Sequence, residues 1–263
     1  ICFPVLLGRS HEIAAAKEAL GLDFTCEEID PREDPRRRGI YMEELQKKRG
    51  RKGITLPDAR RLLKSRVWFG SMMVEMGDAD GIIGGISRDY PEFLKPCLAT
   101  IGMDEDAHRV VGTYMMTIKG QLMFISDATI NIYPDARTLA EIAVQTARVA
   151  RRFGIEPRVA LLSFSNFGSS SQYRSERIED SLEMARELDP SLIIDGPMQA
   201  DTALVPSIQE QYPFMTLGGP ANVLICPNLA SANISYKLLQ RLGDAEMTGP
   251  ILEGMAKPVH VLQ

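Results

Sequence analysis

No apolar run in this sequence approaches the roughly 20 residues that a membrane-crossing helix needs, and no charged leader precedes a cleavable apolar segment. Histidine is scarce: His11, His108 and His260 are scattered, and none closes a Ser-His-Asp array, a His-Cys pair or an H-E-x-x-H helix. The four cysteines, Cys2, Cys26, Cys97 and Cys226, lack the paired spacing of zinc sites or small disulfide frameworks, so they read as reduced thiols of a cytoplasmic protein. An excess of positive charge is missing as well. With 30 Lys and Arg against 35 Asp and Glu, the net charge of −5 excludes general binding to nucleic acid or a membrane surface, because both need a basic face. Any anion is then bound locally. Neither the G-x-x-x-x-G-K-[ST] phosphate loop nor the G-x-G-x-x-G dinucleotide turn occurs, and there is no internal repeat or low-complexity linker.

What is present is a chain of 263 residues with 44% hydrophobic content, enough for one large domain or two modest ones. It starts at Ile1 rather than Met, as a fragment would. Short apolar runs alternate with amphipathic segments throughout, the pattern of strands buried between helices, which predicts an α/β fold with mostly parallel sheets. Strands are expected at 3–7, 80–83, 110–116, 122–126, 158–163, 192–194 and 223–226. Several stop at Gly, Ser or Asp, residues that line ligand crevices at strand ends. Helices are expected over 137–153, stopped by Gly154, and over 177–188, where Ile178, Leu182, Ala185 and Leu188 share a face. The mixed-charge stretch 30–53 reads as a solvated helix face and turn.

The segment from Leu161 through Ser163, Ser165, Asn166, Gly168, Ser169 and Ser170 is a buried strand emptying into a hydroxyl- and glycine-rich turn. Such a turn either aims N–H groups and hydroxyls at a phosphate or is a plain strand-to-helix connection. Asp195 and Asp201 stand at another strand end, where capping is the simpler reading and orienting a ligand the sharper one. Gly84 and Gly85 lead to Arg88, a bidentate anion fork, and then to Lys95, a point charge on an expected helix. Taken as residues alone, these describe an α/β protein with an anion-friendly cleft.

A resemblance adds to this. Arg152-Phe153-Gly154-Ile155-Glu156-Pro157-Arg158-Val159-Ala160-Leu161-Leu162-Ser163, followed by Ser165-Asn166-Phe167-Gly168-Ser169, Asp195-Gly196, Ala221-Asn222-Val223-Leu224-Ile225-Cys226-Pro227-Asn228 and Gly249-Pro250-Ile251-Leu252, resembles the phosphate acetyltransferase (phosphotransacetylase) family. Gly84-Gly85 and Asp127-Ala128-Thr129-Ile130-Asn131 fall in family order, so the likeness covers nearly the whole chain. Ser165-Asn166-Phe167-Gly168-Ser169 and Ala256-Lys257-Pro258-Val259-His260-Val261-Leu262 resemble the version fused behind bacterial NADP-dependent malic enzymes. Where active transferases read Asn-Asp-Leu-Ser-Arg-Gly, this chain reads His260-Val261-Leu262-Gln263, which sets Gln263 at the catalytic Ser position. The family's phosphate-side Arg corresponds to Lys95, which keeps the charge and loses the fork, and Pro197 replaces the usual Glu after Asp-Gly.

The resemblance implies two α/β subdomains with a cleft between them: 1–133 with 251–263, incomplete at both ends, and an inserted 134–250 through which relatives pair. It implies a domain that binds acetyl-CoA or a related acyl-CoA and regulates malate decarboxylation to pyruvate by a malic-enzyme part of the same parent chain. NADP and a divalent metal would belong to that part, with no catalytic residue or metal in this one. The expected ligand residues are Ser163, Ser165, Asn166, Gly168 and Ser169, with Asn131, Arg88, Lys95 and Lys257. A homodimer or larger homo-oligomer in the cytoplasm is expected, with neither nucleic acid nor membrane as partner. The alternatives are an active phosphate acetyltransferase and an oligomerisation module that binds no acyl-CoA.

Overall fold

The computed structural model describes residues 2–169 and 176–262. Packing groups the chain into two compact units, Ile1–Gly102 with Met255–His260, and Met103–Gly254 with Val261–Gln263. The cut falls near residue 103, whereas the sequence reading drew it at 134. The smaller unit opens with β1 (Val5–Leu7), α1 (Ser10–Ala19), β2 (Glu27–Ile29), α2 (Pro35–Arg49), α3 (Leu56–Leu62), α4 (Arg66–Met76), β3 (Ile82–Gly84) and α5 (Tyr90–Thr100). The larger follows with β4 (Val111–Ile118), β5 (Gln121–Ser126), α6 (Ala136–Arg152), β6 (Arg158–Leu162), α7 (Glu176–Leu188), β7 (Ile193–Met198), α8 (Ala200–Leu204), α9 (Pro206–Gln209), β8 (Val223–Ile225), α10 (Leu229–Leu242) and β9 (Glu246–Glu253). The chain then reaches β10 (Val259–Val261).

In the larger unit the strand order is β9-β4-β5-β8-β6-β7. The β5, β8, β6 and β7 strands run parallel, and β9, β4 and β5 pair antiparallel. Because successive side chains point to opposite faces, each central strand feeds two cores. Phe124, Val159, Leu161, Val223 and Ile225 pack under α6 and α7, whereas Met123, Ile125, Ala160 and Leu224 face the other way, with Ala203 of α8 and Tyr236 of α10. That two-sided burial explains why these strands read as continuous apolar runs. The helix α6 starts where the Asp135 carboxylate accepts the Thr138 N–H at 2.8 Å. It ends as Ile155 N–H returns to the Ala150 carbonyl around Gly154, whose φ of 74° suits glycine. Buried hydroxyls tie it to the sheet: Thr113 lies 3.3 Å from both Ser126 and Thr146.

The sequence reading did not foresee β2, β9 or β10. β2 is three residues long and acidic, with no apolar run to announce it. Gly249-Pro250 inside β9 has the look of a turn, and the structure instead absorbs it as an irregularity in the register with β4, between Thr113 and Met115.

The smaller unit packs Tyr41 and Leu45 of α2, Leu63 at the end of α3, and Phe69 and Met72 of α4 against Ile29 and the parallel pair β1-β2. Gly70 lets α4 lie close to the strands, since a Cβ there would stand 2.7 Å from a Leu7 methyl and 3.0 Å from an Ile82 methyl. The stretch 30–53 is α2 and the turn after it, with an outer face of exposed charges and inward Tyr41 and Leu45. The segment 255–260 closes the unit: Ala256 N–H bonds the Gly102 carbonyl, and Ile82 N–H bonds the Pro258 carbonyl. β10 lies beside β3.

Candidate functional site

Parallel pairing puts the carboxyl ends of β5, β8, β6 and β7 on one edge of the larger sheet, the edge at which open α/β sheets bind ligands. The turn Ser163–Ser169 leaves β6 there. Its backbone is fixed from β7, because Ser163 N–H bonds the Met198 carbonyl at 2.8 Å and Phe167 N–H bonds the Pro197 carbonyl at 2.7 Å. Asn166 is buried, accepting the Gln199 N–H at 2.7 Å and donating to Gln199 Oε1 at 3.2 Å and Tyr212 Oη at 3.1 Å. Gln199 in turn donates to the Phe164 carbonyl at 2.7 Å. Phe167 has a positive φ of 47° and sits within an aromatic group with Tyr212 and Phe214, at centroid distances of 5.2 and 4.9 Å. Gly168 continues in the left-handed region at φ 74°.

Against this fixed backbone, the hydroxyls of Ser163, Ser165 and Ser169 make no hydrogen bond among the described residues. They are the turn's available donors and acceptors. Asn166, expected at the ligand, instead spends its amide on organising the turn. Ser170 lies outside the described residues.

On the same edge, across β8 from β6, the turn after β5 is organised by Asp127. This buried carboxylate accepts the N–H groups of Thr129, Ile130 and Asn131 at 3.0, 3.2 and 2.9 Å, that of Gly112 at 3.3 Å, and the Asn131 side-chain amide at 2.5 Å. Asn131 also donates to the Val110 carbonyl at 3.1 Å, so its amide hydrogens hold the turn and only its oxygen is left for a ligand. Asp195 serves the Thr216 loop, accepting that residue's N–H at 2.6 Å and its hydroxyl at 3.0 Å. Asp201 stands in the first turn of α8 and accepts the Thr202 N–H at 2.8 Å. Arg177, in the first turn of α7, donates to the Pro134 and Pro227 carbonyls at 2.6 and 3.0 Å, joining the turns after β5 and β8. Cys226 follows β8, where burial pushes its thiol up to about 12 and keeps it a thiol rather than a nucleophile at neutral pH.

Asp127, Gln199, Tyr212 and Arg177 have no role in the sequence reading. Asp127 had a local signal, a carboxylate at a strand end followed by the small residues Ala128 and Thr129. Tyr212 meets Asn166 across 46 positions and had none. A cavity of about 340 Å³ in this unit, lined by His108 and Arg109 and by Arg137 and Glu141 of α6, contains none of the expected ligand residues.

The remaining expected ligand residues lie in the smaller unit. Arg88 follows the Gly84-Gly85 turn after β3 and borders a cavity of about 220 Å³, its guanidinium 3.8 Å from Glu92. Lys95 projects from α5, exposed and without a hydrogen bond or ion pair among the described residues. Lys257 is engaged: its ammonium donates to the Val74 and Glu75 carbonyls at 2.8 and 2.9 Å, at the carboxyl end of α4, where a cation is favoured. Gln263 lies outside the described residues.

The sequence matches the phosphate acetyl/butaryl transferase family over residues 1–263. The chain belongs to this family. It is 38% identical over 264 residues to a phosphate acetyltransferase of Corynebacterium glutamicum, spanning 100% of this chain and 80% of that protein. It is 40% identical over 266 residues to the NADP-dependent malic enzyme of Escherichia coli, spanning 98% of this chain and 35% of that protein. The phosphotransacetylase structure from Streptococcus pyogenes superposes with a TM-score of 0.91 at 36% identity, covering 99% of this chain and 80% of that one. The fold is therefore that of a phosphotransacetylase-like domain. Among the described residues no helix is long and apolar enough to cross a membrane.

Proposed function

We propose that this domain binds acetyl-CoA, or a related acyl-CoA, and thereby regulates an NADP-dependent malic enzyme in the same parent chain. The observation that carries the binding half is the Ser163–Ser169 turn, a backbone locked from β7 beneath three unengaged hydroxyls. Pre-organised donors of this kind bind a phosphate or carbonyl oxygen without first having to be ordered. The regulatory half is supported by the sequence: Gln263 stands where active transferases of the family carry Ser, and Lys95 stands where they carry Arg. Gln can donate a hydrogen bond, and it lacks the hydroxyl geometry that stabilises the charge developing as the thiol attacks acetyl phosphate. In this reading the chemistry, with NADP and a divalent metal, belongs to the malic-enzyme part, the assembly is a homodimer or larger, and the setting is the cytoplasm. Regulation requires acetyl-CoA to prefer one conformational or assembly state, because a ligand indifferent to both shifts nothing.

The 38% identity to the Corynebacterium enzyme supports a second reading, an active phosphate acetyltransferase. Calorimetric titration with acetyl-CoA, run beside an assay for acetyl phosphate made from acetyl-CoA and phosphate, separates the two. Binding without turnover is the expected result. Sustained turnover would replace the regulatory reading with the catalytic one, and absence of binding would leave an assembly module.

A further inference from the structure

The smaller unit carries a concentration of positive charge that the Ser163–Ser169 turn does not explain. Five cations, Arg9, Arg32, Lys64, Arg66 and Arg88, line the cavity of about 220 Å³, and only two carboxylates, Glu12 and Asp30, line it with them. The chain as a whole is acidic, with a net charge of −5, so this excess of three positive charges runs against its composition. The cations come from separate segments: the turns after β1, β2 and β3 and the turn that opens α4. They meet where the parallel strands β1 and β2 end, at Gly8 and Asp30.

Partners within the protein account for few of these charges. Arg9 pairs with Glu12 at 3.1 Å, and Arg88 lies 3.8 Å from Glu92. Among the described residues the side chains of Arg32, Lys64 and Arg66 have no carboxylate partner, and Asp30 accepts the Arg32 backbone N–H at 2.9 Å rather than its guanidinium. The Ser65 side chain, also on the cavity wall, does not cap α4. Like charges gathered on one concavity repel unless an anion joins them; guanidinium forks match the oxygens of carboxylate and phosphate alike, and a phosphate group carries more of the charge that an excess of three cations calls for.

We infer that this cavity is a second anion site that takes a phosphate monoester or diphosphate group. It admits a phosphate-sized group and is too small for a whole acyl-CoA. The site does not depend on the acetyl-CoA reading.

The test uses the full chain and inorganic pyrophosphate as probe, titrated by calorimetry against the native protein and the double variant Lys64→Gln, Arg66→Gln. Binding by the native protein that weakens about tenfold or more in the double variant is expected, as when charge-assisted contacts are removed. Lys47→Gln with Arg61→Gln removes the same charge from side chains that are each 77% exposed on the same unit, away from the cavity, and should leave the affinity unchanged. Thermal melts of both double variants establish that each is folded. Pyrophosphate that fails to bind, or that binds both double variants as it binds the native protein, overturns the site. Acetyl-CoA is then titrated against bound pyrophosphate: displacement identifies the phosphates of a coenzyme A ester as the occupant, and persistence identifies a free phosphate anion. Acetyl-CoA binding that survives while pyrophosphate fails to bind sinks this site alone, and the converse sinks the acetyl-CoA reading alone.

Discussion

Asn166 and Gln199 exchange hydrogen bonds in both directions, the Asn166 oxygen accepting the Gln199 backbone N–H at 2.7 Å while its amide donates to Gln199 Oε1 at 3.2 Å. The pair joins the turn after β6 to the residue that follows β7, with Asn166 buried and Gln199 exposed. Replacing Asn166 with Ala leaves the Gln199 N–H without its acceptor and should cost about 1–3 kcal/mol, read from urea unfolding. On the reading proposed above, acetyl-CoA affinity should fall as well, because the Ser163–Ser169 backbone loses its lock.

Gly112 faces the Asp127 turn so closely that a Cβ would stand 1.8 Å from Thr129 Oγ1 and 3.4 Å from an Asp127 carboxylate oxygen. Gly112→Ala should therefore destabilise the protein by about 3 kcal/mol through overpacking. Adding Thr129→Ala removes the nearest atom and should recover part of the loss. Thermal melts of the two single variants and the double variant form the cycle that checks this coupling.

Lys257 holds the last carbonyls of α4, and Lys257→Met should cost about 1–2 kcal/mol by leaving them without a charged donor. If the residue is structural in this sense, the urea midpoint falls while the affinity of the folded protein for acetyl-CoA stays unchanged.

Two carboxyls give opposite pH signatures. Burial alone would raise Asp189, but hydrogen bonding from Ser191 and the Arg151 guanidinium at 2.8 Å outweigh it and hold the group below its usual 3.8. Its stabilisation is present above pH 3.8 and is lost as pH falls through the depressed value. Glu253 is pushed above its usual 4.5 by burial, against the pull of its Arg152 partner, so its contribution is present below pH 4.5 and is lost as pH rises through the raised value. Urea midpoints followed from about pH 3 to pH 7 should show Asp189→Asn flattening the acid limb and Glu253→Gln flattening the mildly acidic one.

Much of the larger unit was legible because its strands are buried on both faces and its main helix carries a cap and a stop. Phe124, Val159 and Val223 announce themselves in apolar runs, and Asp135 and Gly154 bracket α6 within a residue or two. β2 and β9 were not legible, since one is short and acidic and the other contains Gly249-Pro250, a pair whose local preference only the pairing with β4 overrides. The candidate site divides in the same way. Its serines stand together in sequence, whereas the residues that fix them, Gln199 and Tyr212, arrive from 33 and 46 positions beyond Asn166. The cationic cavity was harder still, because Arg9, Arg32, Lys64, Arg66 and Arg88 read singly as solvated surface charges.

The return of 255–260 to the smaller unit also sets an order of synthesis. A ribosome that has made Gly102 has supplied most of that unit, yet Ile82 must wait for the Pro258 carbonyl and the end of α4 for the Lys257 ammonium until all of 103–254 has been translated. Domains ordinarily fold as units, amino-terminal first, as the chain emerges. Here the first unit begun cannot be completed before the second has been made, and its nascent form spends that interval with one strand edge and one helix end open.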